Sequence, residues 1–402
     1  MLTRVGVPVE SNAEHSAPGS RRPILLCFSH LRWDFVFQRP QQLMTRFSED
    51  MTVVFWEEPM DTGANEAAHL EVRCDEEHPN VRIVVPHLPE GLEEERRDAL
   101  LKRLLDAYSA GLSGPIVAWY YTPMMLPFSR DLDASVTVYD AMDELSKFKF
   151  APPQLLALEQ ELIDRADLVF TGGSSLYEAK KGRHDSVHLF PSSVDRHHFA
   201  KARKVRIEPE DQAHLPQPKL GFYGVIDERF DIELLDRIAA MRPDWQLVMV
   251  GPMVKIAEED LPRRPNIHYL GPRKYQQLPA YLSGWDVALM PFAMNESTQF
   301  ISPTKTPEYL AGGKPVVSTP VKDVVRHYGH LEGVEIAATA DEFVAACERM
   351  LALDPEGEWL AEADLMLSAT SWSTTQARMA GLIAEALGER TGADSHLLVA
   401  AE

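Results

Sequence analysis

From Pro23 onward, short continuous apolar runs alternate with longer amphipathic stretches. PILLCFS, TVVFWEEP, VRIVVPH, PIVAWYYTP, SVTVYDA and LVFTGG read as strands covered on both faces, which points to a parallel sheet. RPQQLMTRFS, the charged stretch near Glu93 to Ala110 and PPQLLALEQELIDRA read as the helices between them. Ser175 and Glu178 form a capping-box pattern for another helix before VHLFPSS. A second alternation follows. KLGFYG, QLVMVG, NIHYLG, DVALMPF, KPVVST and VEIAA are strand candidates, with helices expected at Asp231 to Met241, Gln277 to Ser283, Thr306 to Ala311 and Asp341 to Leu353. The fold class is therefore α/β, with two doubly wound, Rossmann-like domains facing across a cleft, where ligands sit beyond the strand C-termini.

Residues 200–218, AKARKVRIEPEDQAHLPQP, are polar, hold three prolines and lack periodicity, so they read as an interdomain linker. The expected boundaries are a flexible tail over 1–22, a first domain over 23–199, the linker, a second domain over 219–370, a helix over 371–387 centred near Trp372 and a tail over 388–402. A length of 402 residues agrees with two domains, because single cores tend to split beyond about 250–300.

The formal charge of −21, from 61 acidic against 40 basic residues, argues against a general nucleic-acid binder. Cys27, Cys74 and Cys347 are far apart and show no metal-ligand spacing, so neither a zinc site nor a disulfide framework is expected. The expectation is a cytoplasmic protein, since no apolar run is long enough to span a bilayer and residues 1–22 lack the apolar core of a signal peptide.

The densest chemistry lies in SPTKTPEYLAGGKPVVSTP, Ser302 to Pro320. Thr306 is expected to cap a helix with Pro307 at its first position, and Gly312 and Gly313 to end it. Such a helix start attracts anions, Lys305 adds a full charge, and Glu308 can accept hydrogen bonds from sugar hydroxyls. Alternatively the glutamate simply offsets the helix dipole. In GFYGVIDERFDIELL, Gly221 and Gly224 end a strand and Arg229 follows in the loop. There is no GxGxxG fingerprint and no GxxxxGK[ST] loop, which counts against a nicotinamide dinucleotide or P-loop site.

GFYGVIDERFD, WQLVMVGP, NIHYLGPRKYQQLPAYLSGWDVALMPF and SPTKTPEYLAGGKPVVST resemble, in order, the C-terminal half of a GT-B glycosyltransferase. The similarity is to retaining family 4 enzymes and their bacterial polysaccharide relatives, and it covers most of residues 219–320. It implies that Glu308 binds the donor ribose, that Lys305, Arg229 and the Thr306 helix hold the diphosphate, and that Pro272 and Arg273 frame the base. The substrate implied is a UDP-type or GDP-type sugar, with no cofactor and no metal, the basic residues neutralising the leaving group. Many such enzymes carry a second glutamate eight positions earlier, contacting the transferred sugar. Here that position is Phe300, leaving Asn295 and Glu296 as the nearby polar candidates.

In the first half, SHLRWDFVFQRPQ resembles the N-terminal signature of glycosyltransferases that build surface polysaccharides of the teichuronic acid type. His30, Arg32, Trp33, Asp34, Gln38 and Arg39 follow a strand end, at the expected cleft edge. Trp33 and Arg32 are candidates for holding sugar or acceptor, and His30 and Asp34 for catalysis; Asp34 and Arg39 otherwise form a structural ion pair. VYDAMDELSKFKF places Asp140, Asp143 and Glu144 at another strand end, with Asp143 a candidate base or electrostatic stabiliser and helix capping the rival account. The resemblance also implies a terminal helix that crosses back onto the first domain and a saccharide or lipid-linked acceptor. The basic residues between Arg196 and Arg206 suggest peripheral contact with the inner face of a membrane, or are a solvated linker. The expected function is transfer of a sugar from a nucleoside diphosphate donor, the alternatives being a nucleotide-sugar epimerase or hydrolase and a noncatalytic nucleotide-sugar-binding protein.

Overall fold

The chain is described here by a computed structural model, over residues 3–5, 22–205 and 207–391. The apolar runs of the first half become a largely parallel sheet built on β2 (Ile24–Ser29), β3 (Thr52–Glu57), β6 (Val81–Pro89), β7 (Ile116–Tyr120), β8 (Val136–Ala141), β9 (Leu168–Thr171) and β10 (Val187–Leu189). With β1 (Thr3–Val5) and β5 (His69–Cys74) at one edge, the order is β1-β5-β6-β3-β2-β7-β8-β9-β10, and β4 (Met60–Thr62) pairs with β6. Successive strand residues enter opposite cores. Leu25, Cys27, Val53 and Phe55 join one face, while Leu26, Phe28, Val54 and Trp56 join the other. Helices cover both faces, which is why these strands read as unbroken apolar runs.

The second sheet is wholly parallel, in the order β13-β12-β11-β14-β15-β16. Its strands are β11 (Lys219–Tyr223), β12 (Gln246–Val250), β13 (Ile267–Gly271), β14 (Val287–Met290), β15 (Val316–Ser318) and β16 (Val334–Ile336). The helix Trp372–Thr391 returns to the first unit, where Trp372, Met379 and Ile383 complete one of its two cores.

Three local expectations change. Residues 3–5, placed in a tail by their polar surroundings, pair antiparallel with β5, while 6–21 and 392–402 lie outside the described residues. The polar stretch 200–218 carries helical turns at Ala200–Arg203 and Glu210–Ala213. Gln212 is buried there, donating to the Tyr281 carbonyl at 3.0 Å and accepting from Trp285 Nε1 at 2.9 Å, so this segment walls the second unit. Ser175 does not cap its own helix, Ser174–Lys180; its N–H and hydroxyl bond Asp323 of the second unit instead.

Candidate active site

Loops that follow the C-terminal strand ends of the two units meet, as in the Lys147–Glu296 pair at 3.2 Å, and ligands of wound sheets sit at such ends. On the second unit, the helix Lys305–Ala311 starts two residues before Pro307, the expected first position. Thr304 flanks it with no side-chain cap, and Pro307 sits in its first turn, where no intrahelical N–H is required. Thr306 is therefore inside the helix, and its buried hydroxyl has no hydrogen-bond partner among the described residues.

Lys305 lies with its Nζ 5.7 Å from the Phe222 ring centroid and 5.8 Å from that of Phe292. It makes no ion pair among the described residues. The approach depends on Gly224, whose φ is +141°: a Cβ there would fall 2.2 Å from Lys305 Cε. Burial pushes the Lys305 ammonium pKa down, and the nearby Arg229 charge adds to this. Such a cation gains most from an anionic ligand.

Arg229 follows β11 and is oriented by Asp227, whose carboxylate accepts from Nε at 3.0 and 3.1 Å and from Nη2 at 2.6 Å. Its Nη1 makes no hydrogen bond among the described residues, leaving an edge of the guanidinium for a ligand. Glu308, only 8% exposed, accepts from Tyr223 Oη at 2.9 Å. Burial raises its carboxyl to about 7, opposed by the Tyr223 hydrogen bond and by Lys305. The helix therefore places a cation and a titratable acceptor at the same opening.

The loop after β13 carries Pro272 and Arg273. The Arg273 side chain is held by Asp211, Tyr281 and the Pro272 carbonyl. Tyr275, which sequence reasoning did not single out, stacks on His198 at 4.3 Å and accepts from Gln42 Nε2 of the first unit at 3.0 Å. Asn295 serves its own turn, accepting from the Ser297 and Thr298 N–H groups at 3.0 and 3.2 Å. Glu296 is exposed and pairs with Lys147 of the first unit at 3.2 Å. Phe300 is half-buried.

On the first unit, Arg32, Trp33 and Asp34 of the loop after β2 are held by residues in and just after β3 and β5. Arg32 pairs with Glu57 at 3.0 Å. Trp33 is 6% exposed, packs edge-on to Phe55 and donates from Nε1 to Asp75 at 2.8 Å. Its ring belongs to the core, which corrects the expectation that it stacks on a sugar. Asp34, its side chain 69% exposed, pairs with Arg73 rather than Arg39, and so does not face the second unit's cations. Arg39 instead forms a buried, two-pronged pair with Asp140 at 2.8 and 3.0 Å and donates to the Phe190 carbonyl at 2.8 Å.

Asp143 and His30 do reach the cleft. Burial raises the Asp143 carboxyl, countered first by Arg229 and augmented by Asp227. His30 has a buried Nδ1 without a partner among the described residues; burial, then Lys255 of the second unit, pushes its imidazole down to about 4. It is neutral at ordinary pH. The structure thus brings together Asp143, Arg229, Lys305 and Glu308, and sets Asp34 and Trp33 apart from them. Asp227 and Tyr223 were missed: both flank the singled-out Gly224 and Arg229, but nothing in sequence says which neighbour turns inward.

Among the described residues, no group of three or more His, Cys, Asp or Glu is placed to hold a metal ion, and no helix is long and apolar enough to cross a membrane.

Residues 217–353 match the family model described as Glycosyl transferases group 1. TuaH of Bacillus subtilis (strain 168), which carries the name teichuronic acid biosynthesis glycosyltransferase, is 28% identical over 260 residues, 58% of this chain and 63% of that relative. The chain therefore matches under two thirds of the relative's length. Sucrose-phosphate synthase from Thermosynechococcus elongatus superposes with a TM-score of 0.67 at 19% identity, covering 92% of this chain and 100% of that one. The E. coli trehalose-6-phosphate structure bound with UDP-2-fluoro glucose gives 0.65 at 13%, covering 90% and 99%. Anabaena HepE in complex with UDP and glucose gives 0.63 at 14%, covering 89% and 98%. The chain has the GT-B fold, and its residues 217–353 match the model of the glycosyl transferases group 1 family.

Proposed function

We propose that this protein is a glycosyltransferase that moves a sugar from a nucleoside diphosphate donor to a saccharide or lipid-linked acceptor, at the cytoplasmic side of the membrane. The observation that carries this reading is one helix presenting Lys305, with no ion pair, beside the buried acceptor Glu308, with Arg229 opposite. The donor diphosphate would lie between Lys305 and Arg229, its ribose hydroxyls donating to Glu308 and its base against the backbone at Pro272 and Arg273. In transfer, the bond from the anomeric carbon to the diphosphate oxygen breaks and an acceptor hydroxyl oxygen bonds that carbon. The hydroxyl proton departs, and the nucleoside diphosphate leaves with the electron pair. Lys305 and Arg229 meet the charge developing on the leaving oxygen. Asp143, which feels the charges of Arg229 and Lys305, would accept the proton or face a cationic sugar centre.

Relatives bound to UDP or UDP-sugar analogues share the fold and support a donor of that class. Titration calorimetry of UDP and GDP against wild type and Glu308→Ala tests the reading. One nucleotide should bind, and the variant should lose at least ten-fold in affinity, as expected when a charge-assisted hydrogen bond is removed. Unchanged affinity in Glu308→Ala rejects the ribose role. Asp143→Asn should leave binding intact while lowering transfer.

A further inference from the structure

The segment Leu145–Lys149 of the first unit reaches three separate loops of the second. Lys147 pairs with Glu296 at 3.2 Å, and the Lys149 N–H donates to Glu228 Oε1 at 3.0 Å. Between them, the Phe148 ring lies 5.4 Å from Arg229 Cζ and 5.5 Å from Lys255 Nζ. Two cations from different loops thus converge on one aromatic ring.

Their convergence is built into the backbone. The loop after β12 is tied to the loop after β11, with Ile226 N–H donating to the Pro252 carbonyl at 2.9 Å and Val254 N–H to the Ile226 carbonyl at 3.0 Å. Lys255 comes next, with φ of +62°, a left-handed conformation that non-glycine residues seldom adopt unless their surroundings impose it. Lys255 makes no ion pair or side-chain hydrogen bond among the described residues. Its charge is nevertheless felt at His30 on the opposite wall. A strained backbone that aims an unpaired ammonium beside Arg229, over a ring, is well suited to a shared anionic ligand. Phosphoryl oxygens fit it best, because a guanidinium edge and a point-like ammonium can each take one.

We propose that Lys255 is a third cation of the diphosphate site, resting on Phe148 until a phosphoryl oxygen of the nucleoside diphosphate donor takes it. This rests on the donor reading above. Phe148 is then the gate through which the first unit senses an occupied donor site, since the ring loses both cationic partners when the diphosphate engages them.

The test is titration calorimetry of UDP and GDP at low and high salt, with wild type, Lys255→Asn, Lys255→Arg and Glu308→Ala. Asparagine removes the charge and tolerates the left-handed backbone. The expected result is a loss of about ten-fold in Lys255→Asn at low salt that shrinks at high salt, with recovery in Lys255→Arg and unchanged melting temperature. Wild-type affinity in Lys255→Asn, or a loss of equal size at both salts, overturns the role of Lys255. If Glu308→Ala still loses affinity in that case, the donor reading stands without it. If wild type binds neither nucleotide, both fall together.

Discussion

Glu308 carries two opposing pH dependences. Its carboxyl titrates near 7 in the folded chain, against an ordinary value near ~4.3 when unfolded. Between those values the folded state binds more protons, so this group's contribution to stability is full below the unfolded value and declines as pH rises through about 7. Thermal unfolding from pH 5 to 8 should therefore show wild type losing stability relative to Glu308→Gln, by several degrees at the alkaline end. Nucleotide affinity should move the other way, because the ionised carboxylate is the better acceptor for ribose hydroxyls. At this scale the positions of Lys305 and Glu308 at a helix start and of Arg229 in a loop after a strand were readable from local pattern, while their shared role came from the family resemblance. Trp33, Asp227 and Lys255 were not, since which way a loop side chain points depends on partners such as Asp75 and Phe148 that are distant in sequence.

Among the elements, the helix Arg39–Asp50 is fixed to the end of β8 by the Arg39–Asp140 pair, both residues fully enclosed. Arg39→Met should destabilise the fold by about 3–5 kcal/mol, because it leaves a buried carboxylate uncompensated. Arg39→Met combined with Asp140→Asn should cost less than the sum of the single changes, a deficit that denaturant unfolding can read. The strands on either side were legible as apolar runs buried on two faces. β4 and β5 were not, for they are half-buried or exposed and take their conformation from pairing with β6. The segment 200–218 misled for a related reason: its polar side chains, such as Gln212, are satisfied by the second unit's own backbone and indole groups.

At the scale of the molecule, the units meet closely at Gly173, where a Cβ would come within 2.6 Å of both Asp323 Oδ2 and Ser302 Cβ. Ser175 and Ser192 add hydrogen bonds to Asp323 and to the Ser302 carbonyl, 2.7 and 2.8 Å long. Gly173→Ala should separate the units at this point, increasing the radius of gyration in small-angle scattering and lowering transfer while each unit keeps its own fold. An unchanged scattering profile would show that the contact does not hold the two together. Both wound units were legible from their alternating patterns, but this contact was not, because it depends on backbone proximity rather than on side-chain type.

The terminal helix also bears on how the chain is made. Trp372, Met379 and Ile383 close a core whose other members lie between Leu25 and Phe190. During synthesis, the core that the helix Arg39–Asp50 covers in part with Leu43, Met44 and Phe47 therefore stays incomplete until the terminal helix is made. A ribosome-bound chain truncated before Trp372 should bind hydrophobic dyes and holding chaperones, and protection of that core should arrive abruptly once the helix has emerged.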